Sequence, residues 1–182
     1  MKKTPPPHPS PLEGEDLGEG KSKFLYNKIR KKFLWFVLIV LLLLFTRKYL
    51  AQLFFVLGKS MEPTIKDRRI CLINKAVYHF RLPERGEVVV FRTTEEPPLY
   101  FTKRIVGLPG EIVEIKEGKL FINGRYFPEP WTTINQHWNL KRTEVKENCF
   151  FVIGDNRLAD LSRHLHGQVA TRNIIGKIVG VK

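Results

Sequence analysis

Two residues stand out as a pair that could attack a carbonyl group. Ser60 lies in Gly58-Lys59-Ser60-Met61-Glu62-Pro63-Thr64, and Lys103 lies in Phe101-Thr102-Lys103-Arg104-Ile105-Val106-Gly107-Leu108-Pro109-Gly110-Glu111. A serine hydroxyl is a weak nucleophile at neutral pH and needs a neighbouring base. Histidine is the commonest base, but His79 sits in a polar connection and His164 and His166 in a loop near the end. A lysine can replace histidine only if it is neutral when it acts, and its ordinary pKa is about 10.4, so water must be kept from it. Phe101, Ile105 and Val106 give Lys103 apolar company, and the Met61 side chain would exclude more water. Taken singly, each residue has a bland explanation: a turn serine before Met-x-Pro, and a strand lysine pointing to solvent. Their order and setting favour the pair. Lys59 is not the expected base, because neighbouring side chains on an extended strand face opposite ways. Phe101, two residues before Lys103, shares its face and would wall the site.

Several segments must position this pair. Residues 1–20 read as a disordered tail: Pro5 to Pro7, Pro9 and Pro11 are extended, Glu13 to Gly20 is acidic and Gly-rich, and there is little to bury. Residues 21–52 read as a membrane anchor with a basic collar of Lys21, Lys23, Lys28, Arg30, Lys31 and Lys32. The unbroken apolar run Phe33–Phe45 follows; as a helix it rises about 20 Å, short of the roughly 30 Å hydrocarbon core. Snorkelling Arg47 and Lys48, with Tyr49-Leu50-Ala51 beyond them, would complete the span. A removable leader would need a small-x-small cleavage site, which Thr46-Arg47-Lys48 does not supply. A buried core helix would not be apolar all round beside such a collar. The collar outnumbers Arg47 and Lys48, so the N-terminus is expected in the cytosol and residues 53–182 outside it. The net charge of +13 and pI near 9.9 fit an anionic membrane surface. No aromatic-interleaved basic patch points to nucleic acid.

Beyond Leu53 the pattern is one of short strands, over 69–73, 87–91, 101–106, 111–115, 119–122, 150–153 and 174–181. Glu117-Gly118 and Asn123-Gly124 read as hairpin turns. The soluble part is therefore expected to be mainly β, a small barrel or a pair of curled sheets, with Pro128 to Asn148 a loop insertion carrying Trp131 and Trp138. Cys71 and Cys149 would lie where a disulfide can persist, but their apolar runs favour two unpaired buried thiols. Nothing resembles a zinc motif, and no metal or cofactor is expected.

Four motifs in order give the chain a resemblance to the type I signal peptidases, the Ser/Lys membrane endopeptidases that remove secretory signal peptides. Ser60-Met61-Glu62-Pro63-Thr64 resembles the nucleophile box, and Arg85-Gly86-Glu87-Val88-Val89-Val90-Phe91 the Arg-Gly-acidic strand. Lys103 to Glu111 is similar to the base box, and Gly154-Asp155-Asn156-Arg157 begins the last one. The resemblance covers roughly residues 33–182. It implies that Ser60 attacks the scissile carbonyl, that Lys103 takes its proton, and that the Ser60 backbone N–H helps hold the oxyanion. Gly58 stands where some members place a second hydroxyl donor. Phe54, Val56 and Leu57, with Met61 and Phe101, are expected to contact substrate through shallow pockets for small side chains at the −1 and −3 positions. The resemblance further implies exported precursors with signal peptides as partners, a lipid bilayer, and a single-pass protein of the bacterial plasma membrane. It says nothing of oligomeric state.

The last box departs from the family. Where a lysine-contacting serine is usual, Asp160 falls if no gap is allowed, and Ala159 if Ser162-Arg163 is matched. Asp155, Asn156, Arg157, Asp160 and Arg163 are the expected supporting residues. Two other readings remain open: a maturation protease dedicated to one exported substrate such as a pilin, and a non-catalytic relative that binds signal peptides.

Overall fold

The computed structural model describes residues 16–132, 138–158 and 167–181, so the structural placement of Asp160 and Arg163 lies outside the described residues. The chain divides into two units at Phe45 and Thr46. The first is the helix α1, Asp16–Phe45. It begins inside the stretch expected to be tail: Asp16–Gly20 continue the helix, since adding residues to a formed helix costs little compared with starting one. A π-helical turn, Thr46–Leu50, follows. Lys23–Leu50 is long and apolar enough to cross a membrane by length and composition, with 28 residues and a mean hydropathy of 2.0 in its apolar window. The helix thus supplies the length that Phe33–Phe45 alone lacks.

The second unit is mainly β. Its strands are β1 (Ala51–Val56), β2 (Arg69–Asn74), β3 (Val88–Arg92), β4 (Tyr100–Gly107), β5 (Ile112–Lys116), β6 (Lys119–Ile122), β7 (Arg125–Tyr126), β8 (Leu140–Glu144), β9 (Cys149–Ile153), β10 (Gly167–Ala170) and β11 (Ile174–Ile178). One turn of helix, α2 (Val77–Phe80), joins β2 to the segment before β3. A seven-stranded sheet has the order β1-β2-β11-β3-β4-β9-β10, and a four-stranded sheet the order β7-β6-β5-β8. Every pairing in both is antiparallel.

Of the two forms expected, a pair of sheets is found and a closed barrel is not. The outer strands of the larger sheet, β1 and β10, share no ladder, and the sheet stays open. β10 is four residues long, too short to offer an edge on which another strand could close it. Both predicted hairpin turns are present, with Glu117 and Gly118, and Asn123 and Gly124, at positive φ as a type I′ turn requires. β8 lies within the stretch expected to be a loop, where Leu140-Lys141-Arg142-Thr143-Glu144 lacks apolar alternation and forms an edge strand. Cys71 and Cys149 are both unpaired, the first buried and the second half-buried.

Three apolar clusters hold the strands. Met61 and Ile65, both fully buried, join Val56, Cys71, Ile73, Val88, Val90 and Ile178. They fasten the loop that carries Ser60 to the sheet, at about 1.5–3 kcal/mol for each side chain fully removed from water. Val89, Phe91, Ile105, Phe150, Val152 and Val169 form a second cluster on the larger sheet. Trp138, Phe151 and Ile153 belong to the third, with residues of the smaller sheet.

Candidate active site

The geometry of the site is best measured from Gly154, at the end of β9. A Cβ built on Gly154 would lie 2.5 Å from the Ser60 carbonyl oxygen, 3.4 Å from the Ser60 carbonyl carbon and 3.2 Å from Lys103 Nζ. The Ser60 backbone and the Lys103 amine therefore converge on one point, 43 positions apart in sequence though they are. Sheet register explains the approach of the lysine. Arg104 pairs with Ile153 across β4 and β9, which brings Lys103 alongside Gly154. Gly154 is not at positive φ; it is glycine because no side chain fits there.

Asn156 fixes the serine. Its backbone N–H donates to the Ser60 carbonyl at 3.1 Å, and its side-chain Nδ2 donates to the Lys59 carbonyl at 3.0 Å. On the far side of the same loop, the Gly58 N–H donates to Asp67 Oδ1 at 2.6 Å. The Ser60 N–H donates to no acceptor among the described residues, which leaves it available. No hydrogen bond joins the Ser60 hydroxyl to Lys103 Nζ in this structure, a contact that commonly tightens only when substrate is bound.

Lys103 is 2% exposed. Burial pushes its amine down to about 8, against the Asp155 carboxylate, which acts to raise it. Among the described residues it has no ion-pair partner. Its neighbour Arg104 is the reverse case. Arg104 is equally buried, but its Nε and Nη2 donate to Asp155 Oδ1 and Oδ2 at 2.9 and 2.7 Å. Its Nη1 donates to the Gly86 carbonyl at 2.6 Å, and its guanidinium lies 4.4 Å above the Trp131 ring. Thr64 Oγ1 donates to the same Asp155 carboxylate, and Thr132 Oγ1 to the Asp155 carbonyl. Arg157 pairs with Glu129 in a second buried ion pair and lies over the Trp138 ring.

Of the residues expected to contact substrate, Phe54 and Val56 point toward the Met61 cluster, Phe54 half-buried and Val56 buried. Phe54 also lines a cavity of about 300 Å³ with Gln52, Ile73, Lys75, Val90 and Tyr100. Leu57 is exposed, as are Leu53 and Phe55, the outward residues of β1. Met61 is fully buried and holds the loop in place. Phe101 is half-buried against Phe91, with ring centroids 6.1 Å apart. Sequence reasoning named Asp155, Asn156 and Arg157 as support without their partners. It missed Gly154, Thr64, Glu129 and the contact of Trp131 with Arg104. Pro128-Glu129-Pro130-Trp131 has no periodicity that would reveal a core-facing acid and aromatic.

Residues 29–181 match the family described as signal peptidase, peptidase S26, and the chain belongs to that family. It is 35% identical over 147 residues to Signal peptidase I of Leptolyngbya laminosa, covering 77% of this chain and 72% of that one. It is 34% identical over 151 residues to Signal peptidase I T of Bacillus subtilis (strain 168), covering 77% and 78%. A crystal structure of a signal peptidase I from Enterococcus faecalis V583 aligns with a TM-score of 0.42 and 26% identity, over 53% of this chain and 97% of that chain.

Proposed function

We propose that the protein is a membrane-anchored serine endopeptidase that cleaves signal peptides from exported precursors through a Ser60/Lys103 dyad. The observation that carries this reading is the convergence of Lys103 Nζ and the Ser60 backbone on Gly154, with the amine dehydrated to a pKa of about 8. At that value a useful fraction of the amine is neutral near pH 7.5, and the proton affinity suits a general base. The neutral amine takes the Ser60 proton as Oγ bonds to the scissile carbonyl carbon. The available Ser60 N–H stabilises the oxyanion. The ammonium returns its proton to the departing nitrogen as the C–N bond breaks, leaving the acyl group on Ser60. Water, deprotonated by the same amine, then releases the signal peptide.

Membrane attachment rests on Lys23–Leu50, with the basic collar on the cytosolic side and the catalytic unit outside. The exposed side chains of β1 and β2 support contact with the bilayer. Leu53 faces Leu72, and Phe55 faces Ile70, all four exposed. Exposed Lys59, Lys66, Arg68 and Arg69 supply cations for anionic headgroups. An apolar face with a cationic margin suits the interface between lipid and water better than bulk solvent.

The test is cleavage of a signal-peptide-bearing precursor in detergent by wild type, Ser60→Ala and Lys103→Ala. Loss of cleavage in both variants, with unfolding transitions preserved, is expected. Processing by all three at equal rates would overturn the assignment.

A further inference from the structure

A cavity of about 310 Å³ lies where the chain passes from the proposed membrane span into β1. Lys48 and Tyr49, at the end of Lys23–Leu50, line it. So do Lys75, which follows β2, His79 of α2, and Arg172 of the turn between β10 and β11. The β1–β2 ladder explains why these segments meet. Ala51 pairs with Asn74 at its open end, and the Lys75 and Ala76 N–H groups both donate to the Leu50 carbonyl, at 2.9 and 3.4 Å. Lys75 Nζ reaches back to the Arg47 carbonyl at 3.3 Å.

The lining contains no carboxylate. Lys48, Lys75 and Arg172 bring three positive charges, and none has an ion-pair partner among the described residues. Lys48 Nζ lies 5.0 Å from the centre of the Tyr49 ring. Lys75 gives one donor to the Arg47 carbonyl and keeps two. The two acids tied to this segment are committed elsewhere. Tyr78, also in the lining, donates to Glu87 at 2.9 Å, but that carboxylate also accepts from Arg81 and Lys177. Glu84 pairs with Arg81 at 3.3 Å. Like charges gathered without an acid repel one another, so the arrangement is suited to an anion from outside the chain. One side is apolar: Ile174 and Ile175 are half-buried in the lining. Leu82 of the lining and nearby Phe80 are open to solvent, Phe80 88% exposed.

We infer that this cavity is a discrete binding site for the phosphodiester headgroup of one anionic phospholipid. The inference needs Lys23–Leu50 to lie in a bilayer and does not need the Ser60/Lys103 chemistry. A guanidinium such as that of Arg172 binds two phosphate oxygens through parallel N–H···O bonds, while Lys48 and Lys75 act as point charges. A soluble phosphate ester offers the same oxygens, but two observations favour the lipid. Lys48 and Tyr49 end the span, where snorkelling lysines and interfacial tyrosines meet headgroups. A soluble ester would also leave Phe80, Leu82 and the Ile174–Ile175 side in water, whereas a glycerol backbone and its first acyl carbons would cover them. Unlike the spread of exposed cations along β1 and β2, such a site is saturable and has a stoichiometry of one.

The experiment titrates the full chain in neutral detergent with dioleoylphosphatidylglycerol, with zwitterionic dioleoylphosphatidylcholine, and with glycerol 3-phosphate as the soluble ester. Native mass spectrometry counts the molecules retained, so the readout is independent of cleavage. Wild type should retain one phosphatidylglycerol in preference to phosphatidylcholine. A cation near a lipid surface is worth roughly fivefold in affinity, so the Lys75→Gln, Arg172→Gln double variant should weaken retention about 25-fold. The matched control, Lys66→Gln with Arg69→Gln, removes two exposed cations at or beside the other end of the β1–β2 ladder, where Arg69 pairs with Val56. It should change retention by less than about threefold. Arg172→Gln alone, at an exposed position, should cost about fivefold and decides the matter if the double variant does not fold. Equal losses in the two pairs, or no loss in either, overturn the site, as does equal retention of the two lipids or of none. Displacement of phosphatidylglycerol by an equal concentration of glycerol 3-phosphate overturns the lipid assignment in favour of a soluble ester.

Discussion

Replacing Gly154 with alanine introduces a methyl group 2.5 Å from the Ser60 carbonyl oxygen and 3.2 Å from Lys103 Nζ. Non-bonded carbon and oxygen atoms settle at about 3.5 Å, so the oxygen must retreat by roughly 1 Å. The backbone at Gly154 suits alanine, so the effect is purely one of space. The loop cannot yield freely. Asn156 holds the same carbonyl and that of Lys59, and Met61, the next residue, is fully buried. A misplacement of about 1 Å at reacting groups costs on the order of 100-fold in rate, or about 2.7 kcal/mol in the barrier. Gly176→Ala is the matched control. Its Cβ would meet the Asn74 carbonyl oxygen at 2.5 Å and Ile73 Cγ2 at 2.6 Å, in the β2–β11 pairing and away from Ser60. Both variants should lose about 1–3 kcal/mol of stability from overpacking. Only Gly154→Ala should lose about two orders of magnitude in kcat per folded molecule, measured by precursor cleavage alongside denaturant titration. A folded Gly154→Ala enzyme with kcat within threefold of wild type would refute the claim that Ser60 and Lys103 act from this point.

The Lys103 amine, brought down from 10.5 to about 8 by burial, should make kcat/KM rise with pH and level off above about 8; a flat profile from pH 6 to 9 would count against it as base. Because the charged form is disfavoured in the folded state, stability should increase between pH 8 and 10.5. Lys103→Met should then be more stable than wild type at pH 7, by on the order of 2–3 kcal/mol, while cleaving nothing. Burial acts to raise the Glu87 carboxyl, but hydrogen bonds from Arg81, Lys177, the Glu84 N–H and Tyr78 outweigh it and bring it from 4.5 down to about 2. Its contribution is complete above pH 4.5 and lost as pH falls toward 2. Glu87→Gln should therefore cost about 3 kcal/mol at pH 7 and flatten the acid limb of a stability curve. Arg104→Met leaves Asp155 charged and buried without its ionic partner, at a cost of about 3–5 kcal/mol in urea unfolding. The freed carboxylate should also raise Lys103, so residual cleavage should need higher pH than wild type.

Much of this arrangement was legible because its signals are local. Ser60 and Lys103 stand in short motifs, and β2, β3, β4, β5, β6, β9 and β11 are β-branched or aromatic runs bounded by turn formers. The parts that escaped depend on distant partners or on a weak local pattern. β1 has the apolar run Leu53-Phe54-Phe55-Val56 and no alternation, so hydropathy alone does not show that residues 54 and 56 turn inward while 53 and 55 turn outward. β8 is a polar edge strand, and β10 has four residues, too few to show a period. Nothing in Glu129 or Trp131 considered alone indicates that one pairs with Arg157 and the other lies beneath Arg104. Gly154 is the clearest case. As a sequence letter it begins a motif, and only the register of β4 against β9 shows that its missing side chain is the space in which the amine and the serine meet.

The role proposed for Lys103 sets two requirements in conflict, since the apolar surroundings that disfavour its charged form also leave little to position its amine. Strand alternation resolves this at Lys103 and Arg104. These adjacent residues project to opposite faces of β4, so two buried cations can have opposite environments. Arg104 is given a carboxylate, a backbone carbonyl and an aromatic ring, stays charged, and ties β4 to the segment after β9. Lys103 is given none of these and lies along Gly154 with its charge unsupported. Asp155 could spoil the division, because its carboxylate acts to raise Lys103. Arg104 takes up both its oxygens and Thr64 donates to one of them, which keeps that pull smaller than the effect of burial. In three consecutive positions, Gly154 thus leaves space beside Lys103, Asp155 is held by Arg104 through both its oxygens, and Asn156 fixes the loop that carries Ser60. Arg157 then anchors the segment to Glu129. A change at any of the four should alter catalysis through a different physical quantity: distance, proton affinity, loop position or stability.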